Sequence, residues 1–141
     1  MSALQEQFVT EARELIRQAT DNLIALERDG TSLERVDSVF RAFHTLKGSA
    51  GVVELPAMSI VLHAAEDLLD SVRHGTLGAG AEIIDAALAC LDQVSRWVDN
   101  FEAAGALPPG LARKAARWRN DCDRFFRAGG TSSQRSLHQM L

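Results

Sequence analysis

Apolar side chains recur along this chain at spacings of three and four residues, which is the periodicity of amphipathic α-helices. Five segments show this pattern, and glycine or proline marks the breaks between them. No segment alternates apolar and polar residues over a useful length, so no β-sheet is expected. The pattern therefore predicts an all-α protein.

The first two predicted helices both open with a capping box, in which two side chains satisfy free backbone N–H groups. Ser2-x-x-Gln5 begins the first helix, which is expected to end near Arg28. Thr31-x-x-Glu34 is expected to begin the second helix, which runs to about Val53. The apolar stripe of this second helix consists of Val36, Val39, Phe40, Phe43, Leu46, Ala50 and Val53.

Three further helices follow. The third begins at Pro56, since proline suits the first turn of a helix, and ends at Gly75. The glycines of residues 75–80 match neither the dinucleotide-binding nor the P-loop fingerprint, so this stretch is interpreted as a plain linker. The fourth helix is broken by Gly105 and by residues 108–110. The fifth has its apolar positions at Leu111, Ala115, Trp118, Cys122 and Phe125.

Four amphipathic helices joined by short connections predict an antiparallel up-down four-helix bundle, because each helix can then bury its apolar stripe. The additional C-terminal fifth helix is expected to lie outside this bundle or across one end. Residues 1–128 would then form one helical domain. Residues 129–141 are mostly small or polar and are expected to be a disordered tail or a cloning remnant.

Composition narrows the possible functions. The 141 residues suffice for one core, and 15 basic against 19 acidic side chains give a net charge of −4, which argues against nucleic acid as a ligand. Neither a signal peptide nor an apolar run of membrane-spanning length is visible, so we expect a cytoplasmic protein without direct membrane contact. Cys90 and Cys122 lie in helical apolar patterns and are expected to be buried, reduced thiols.

The second helix carries a polar group that burial does not explain. His44 lies off the centre of the apolar stripe, and Arg41, Lys47 and Gly48 lie one turn away. Glycine inside a helix costs about 1 kcal/mol relative to alanine, but here it leaves the imidazole open to a bulky partner, with Lys47 beside it as a cation. Gly51 extends the flat surface. This arrangement suits a histidine that receives and gives up an anionic group.

The third helix adds a carboxylate that could orient this histidine. His63 and Glu66 share a face of the third helix, and that face can lie beside His44 if the two helices are antiparallel neighbours. Glu66 could then accept a hydrogen bond from one imidazole nitrogen and leave the other free as a nucleophile. A solvated carboxylate at Glu66 and a packing or capping histidine at His63 remain the alternatives.

Two other kinds of site fit poorly. Di-iron bundles need a Glu-x-x-His pair on each of two helices, whereas here the reversed order His63-x-x-Glu66 occurs once, so no metal site is expected. A serine hydrolase needs a strand–turn–helix context for its nucleophile, and none is predicted.

Three stretches resemble the histidine phosphotransfer (HPt) family, and most of all the N-terminal P1 phosphotransfer domain of CheA-type chemotaxis histidine kinases. They are Phe8-x-x-Glu11-Ala12-x-Glu14-Leu15, the segment FRAFHTLKG at 40–48, and HAAEDLLD at 63–70. The resemblance covers roughly residues 4–104. It implies that His44 is the phosphoacceptor, that Glu66 orients it and that Lys47 is a cation beside the phosphoryl group.

The resemblance also implies a place in two-component signalling. His44 would accept a phosphoryl group from ATP and pass it to an aspartate of a CheY-like response regulator. No nucleotide motif is present, so the domain would bind no cofactor itself, and ATP and Mg²⁺ would be held by partner domains. It would be a phosphoryl carrier within a kinase, with Arg41, Gly48, Gly51 and His63 in the docking surface. The alternative is a helical module that binds a receiver without being phosphorylated.

Overall fold

A computed structural model describes residues 1–29, 32–75 and 80–127 of the chain. Within these ranges the protein is built from α-helices and contains no β-strand, which confirms the predicted all-α class. The helices are α1 (Ala3–Arg28), α2 (Leu33–Val52), α3 (Pro56–Arg73), α4 (Ala81–Ala104) and α5 (Leu111–Arg127).

The caps of α1 and α2 differ in how well the sequence predicted them. The Gln5 N–H donates to the Ser2 hydroxyl at 3.1 Å and the Ser2 N–H to Gln5 Oε1 at 3.0 Å, so the first capping box is confirmed. The predicted start of α2 is wrong by one residue, because the cap is Ser32, whose hydroxyl accepts from the Arg35 N–H. Serine is a somewhat better N-cap than threonine, and the capping-box match of Thr31 with Glu34 selected the wrong one of two neighbouring candidates. Thr31 itself lies outside the described residues.

A tight turn reverses the chain between α2 and α3. The Leu55 N–H donates to the Ala50 carbonyl at 2.9 Å, and the Glu54 N–H donates to the Gly51 carbonyl at 3.2 Å. Glu54 has a φ of 60°, in the left-handed region that helix ends commonly use and that glycine adopts most easily. Pro56 then starts α3 as predicted.

Helices α1 to α4 form the predicted bundle, in which α1 and α3 each pack against both α2 and α4. The contacts between α1 and α4 join Arg13 to Asp99 at 3.0 Å and the rings of Phe8 and Phe101 edge to face at 5.9 Å. The largest fully buried side chains are Phe43, Phe101, Leu23, Leu46, Met58, Leu62, Leu91, Val39, Val94, Val98 and Cys90.

Helix α5 lies outside the bundle, as one of the two predicted placements had it. It packs against α3 and buries Ala115, Trp118 and Cys122, while Lys114 Nζ donates to Gln93 Oε1 of α4 at 2.9 Å. Helix α3 therefore has neighbours on three sides: α2, α4 and α5. Both cysteines are free and buried, as predicted.

Some predictions fall outside the described residues. They concern linker residues 76–79, the side chain of Phe125 and the tail 129–141 with its boundary at residue 128. In the described part of the chain, no helix combines the length and apolar character that crossing a membrane requires.

Candidate functional site

His44 lies where the buried stripe of α2 meets solvent. Phe43 and Leu46 on either side of it are fully buried, whereas the His44 side chain is 64% exposed. The 3.6-residue period of the helix produces this contrast, because adjacent residues point about 100° apart. A ring in this place is anchored by a rigid helix and still open to a second molecule.

The antiparallel pairing of α2 and α3 brings Glu66 to His44. The imidazole Nδ1 lies 3.1 Å from Glu66 Oε1, and Glu66 itself is only 8% exposed. The expected contact between these two residues is therefore present, and Glu66 is not the solvated carboxylate of the alternative interpretation.

Lys47 contacts the other oxygen of the same carboxylate. Its Nζ lies 2.8 Å from Glu66 Oε2, which makes a short ion pair. The Lys47 side chain is about three-quarters buried, and Ser59 of α3 donates to its backbone carbonyl at 3.4 Å. The sequence placed this cation beside His44, but its salt bridge to α3 was not anticipated.

These contacts settle the charge of Glu66. Burial is the largest single influence and raises the pKa of this carboxyl, but Lys47 and His44 together outweigh it, so the pKa lies below its usual range. Glu66 is consequently ionised at neutral pH and can only accept hydrogen bonds. When the imidazole is neutral, Nδ1 must carry the proton, and Nε2 is left with its lone pair.

The surface beside His44 is low and open. Gly48 and Gly51 are exposed, and a β-carbon built on either would meet no other atom within 4 Å. Neither glycine is therefore required by close helix packing, and access to His44 stays the prediction for Gly48. Arg41 is 76% exposed on the same helix and pairs with Asp37 at 2.9 Å.

His63 and Asp70 do not join this group. His63 is exposed on α3, with Nε2 3.6 Å from Asp67 of the same helix, and no described hydrogen bond or ion pair connects it to His44. Asp70 pairs with Arg73 and His74 instead. Among the described residues, no group of three or more His, Cys, Asp and Glu side chains is placed to hold a metal ion.

Sequence reasoning missed two residues at the site. The Phe40 ring stacks on His44 with centroids 6.2 Å apart and planes at 18°, and the Arg73 guanidinium carbon lies 3.9 Å from the centre of the Phe40 ring. The four-residue spacing from Phe40 to His44 could have revealed the first contact, since such residues adjoin on a helix. Nothing in the sequence singles out Arg73, because its contact depends on the register between α2 and α3.

The bundle and its site define a class of protein. An imidazole with one nitrogen held by a buried carboxylate and the other turned to solvent is an oriented nucleophile for a group that another molecule brings. The chain belongs to the Hpt domain family, whose model matches residues 3–97. The match includes α1 to α3 and most of α4, and so contains His44, Lys47 and Glu66.

The relatives of this chain are chemotaxis proteins. It is 33% identical over 128 residues to the chemotaxis protein CheA of Treponema pallidum, which covers 91% of this chain and 15% of that protein. It is 35% identical over 100 residues to CheA of Halobacterium salinarum, covering 71% of this chain and 15% of that protein. The chain thus spans only a small part of the length of these relatives.

Solved structures agree with the fold. The CheA phosphotransferase domain from Thermotoga maritima is 31% identical, with a TM-score of 0.69 over 72% of this chain and 99% of that one. The phosphorylated P1 domain of CheA3, solved in complex with CheY6 from R. sphaeroides, gives a TM-score of 0.77 at 23% identity, over 88% of this chain and 98% of that one. The latter likeness concerns the fold alone.

Proposed function

We propose that this domain is the phosphoryl carrier of a CheA-type chemotaxis kinase, with His44 as the phosphoacceptor. The observation that carries this proposal is the 3.1 Å contact between Nδ1 and the buried, ionised Glu66, combined with a ring that is 64% exposed. Similarity to CheA proteins at 33–35% identity supports it.

In the proposed first step, the Nε2 lone pair of His44 attacks the γ-phosphoryl group of ATP. A P–N bond forms, the P–O bond to ADP breaks, and the Nδ1 proton stays where it is. The ring becomes more positive during the attack, and the Glu66 carboxylate stabilises that charge through the Nδ1–H hydrogen bond. Phosphoryl transfer depends mainly on positioning and electrostatics, so an oriented nucleophile is the contribution required of this domain.

Lys47 would offset negative charge near the new phosphoryl group. It lies one turn from His44 and is paired with Glu66 at 2.8 Å, so its ammonium is held close to the imidazole. The ammonium of lysine carries three donors, and one contact with Glu66 leaves others available.

In the proposed second step, a CheY-like response regulator takes the phosphoryl group onto its own aspartate. The solved complex of the CheA3 P1 domain with CheY6 supports such a partner for this fold. Exposed Arg41, Gly48, Gly51 and His63 would contribute to the docking surface. ATP and Mg²⁺ would be held by the partner domains, and this role would place the protein in the cytoplasm.

Incubation with γ-³²P-labelled ATP and a CheA-type kinase domain tests the proposal. We expect an adduct that is labile in acid and stable in alkali, as phosphohistidine is, and that a receiver domain removes. His44→Gln should abolish labelling while helical circular dichroism is retained, whereas His63→Gln, which alters the docking surface but keeps His44, should still be labelled on His44. Absence of label in the wild type, together with receiver binding, would instead establish the unphosphorylated docking module. Label retained on His44→Gln would move the site.

A further inference from the structure

Phe40 gives His44 a second contact besides Glu66. It lies one helical turn before His44 on α2, and the two rings are 6.2 Å apart and within 18° of parallel. Phe40 is half-buried and packs against the core, so its ring has a fixed support. A hydrogen bond at Nδ1 fixes one atom of the imidazole, but the plane of an exposed ring can still swing about that atom.

Phe40 is itself in contact with Arg73. The guanidinium carbon of Arg73 lies 3.9 Å from the centre of the Phe40 ring, within the range of a cation–π contact. This contact joins the end of α3 to the helix that carries His44.

Arg73 is itself fixed by two carboxylates. Its Nη1 lies 3.1 Å from Asp37 Oδ1 on α2, and its Nη2 lies 3.2 Å from Asp70 Oδ1 on α3. Asp37 also pairs with Arg41 at 2.9 Å, so two guanidinium groups and two carboxylates form a cluster with little net charge to attract a phosphoryl group. The planar fork of arginine therefore serves here to place its flat surface against Phe40.

We propose that Phe40 and Arg73 are positioning residues for phosphotransfer at His44. The stacked ring restricts rotation of the imidazole, so that Nε2 points outward while Glu66 holds Nδ1. Misplacement of a reacting group by small distances slows a reaction even when binding is unchanged. This inference rests on the proposed role of His44 as phosphoacceptor, but the orientation of the ring can be measured without any phosphotransfer.

The test uses the full chain with Phe40→Leu, which keeps apolar volume without the aromatic face, and Phe40→Tyr, which keeps the face. NMR of His44 reports side-chain couplings and the imidazole nitrogen shifts. Phosphorylation is followed with a CheA-type kinase domain and with phosphoramidate, a small donor that releases ammonia and needs no docking. We expect Phe40→Leu to average the His44 couplings and to slow both reactions roughly three- to tenfold, through kcat rather than KM. Phe40→Tyr should behave as the wild type.

Arg73 and a matched control complete the test. Arg73→Gln should fall between the wild type and Phe40→Leu, and Arg73→Lys should restore part of the rate because it keeps a cation beside the ring. Leu88→Ala on α4 removes a similar half-buried apolar contact from a helix that does not pack against α2 in the described structure. It should lower stability without changing the His44 couplings.

Two results would overturn the inference. One is identical couplings and rates in the wild type and Phe40→Leu, and the other is an equal loss of rate in Leu88→Ala. If neither donor phosphorylates the wild type, the proposed function fails, and the NMR comparison still decides whether Phe40 orients the ring.

Discussion

Glu66 contacts His44 and Lys47 through separate oxygens, so replacing it changes the partners of both residues at once. In Glu66→Gln the amide can still accept from Nδ1, but the negative charge that stabilises a phosphorylated ring is lost. We expect phosphorylation to be slower by roughly tenfold or more, which is less than the roughly 10²-fold of a typical positioned acid–base group, because partner domains would supply the metal and the other phosphoryl-binding groups. Initial rates of labelling check this. Glu34→Gln makes the same exchange of carboxylate for amide at an exposed position in the first turn of α2 and should leave the rate unchanged. An unaffected rate in Glu66→Gln would mean that His44 is oriented by other groups.

The lowered pKa of Glu66 predicts how acid affects stability. A carboxyl whose pKa is lower in the folded than in the unfolded protein stabilises the fold above the unfolded value, about 4.3 for Glu. That contribution is lost as the pH falls through the folded value. Urea unfolding at pH 6 and at pH 3 should therefore show a smaller loss of unfolding free energy in Glu66→Gln than in the wild type. Equal losses would contradict the lowered pKa.

Two substitutions of Gly48 distinguish its effect on the stability of the fold from its effect on access to His44. Because a β-carbon there meets no other atom within 4 Å, Gly48→Ala should raise the free energy of unfolding by up to about 1 kcal/mol. Gly48→Leu should also fold, but its side chain would cover the approach to His44 and slow transfer from the kinase and to the receiver. Thermal unfolding and the two transfer rates check this pair. Equal transfer rates in Gly48→Leu and the wild type would remove access as the reason for this glycine.

The group around His44 shows what residue patterns can reveal. The order and spacing of the helices allowed a contact between His44 and Glu66 but left a solvated carboxylate open, and the resemblance to the HPt family decided in favour of the contact. The ion pair of Lys47 and the placement of Arg73 were not predictable, since they depend on the rotation and register of α3 against α2. His63 illustrates the same difficulty, because sharing a helix face with Glu66 did not bring it to His44.

At the scale of the elements, helix types and approximate lengths followed from apolar periodicity, since each helix has one side to bury. The errors in the prediction concern the ends of helices, where neighbouring residues can provide the same capping hydrogen bond. Ser32 caps α2 in place of Thr31 for this reason. The position of α5 against α3 was not specified either, because a helix with one apolar stripe can cover any exposed apolar surface.

The turn between α2 and α3 allows a test of backbone strain at the end of a helix. Glu54 adopts a φ of 60°, which glycine reaches without steric cost. Glu54→Gly should therefore stabilise the protein by about 0.5–1 kcal/mol. Glu27→Gly near the end of α1 is the matched control and should destabilise it, since Glu27 is helical. Chemical denaturation measures both, and the same sign in the two variants would argue against strain at Glu54.

At the scale of the whole molecule, the two cysteines report on global unfolding. Burial, followed by the charges of Asp123, Asp121 and Asp67, raises the pKa of the Cys122 thiol to about 12, and burial raises the pKa of Cys90 well above its usual range. A thiol reagent at pH 8 should therefore react only as fast as the protein opens. The labelling rate should rise with urea in parallel with circular dichroism. Rapid labelling of Cys122 alone would indicate that α5 detaches separately.

The central place of α3 has a consequence for how this domain could be controlled. Because α3 packs against α2, α4 and α5, we expect its amide protons to exchange only when the entire fold opens. Glu66 lies on this helix, so the backbone that places its carboxylate beside His44 is expected to keep its position until the protein unfolds. Loss of the site and loss of the fold are then one event, and the reactivity of the population declines in proportion to its unfolded fraction. A graded signal would then depend on how often partner domains bind the surface around His44, because that surface would itself keep one conformation.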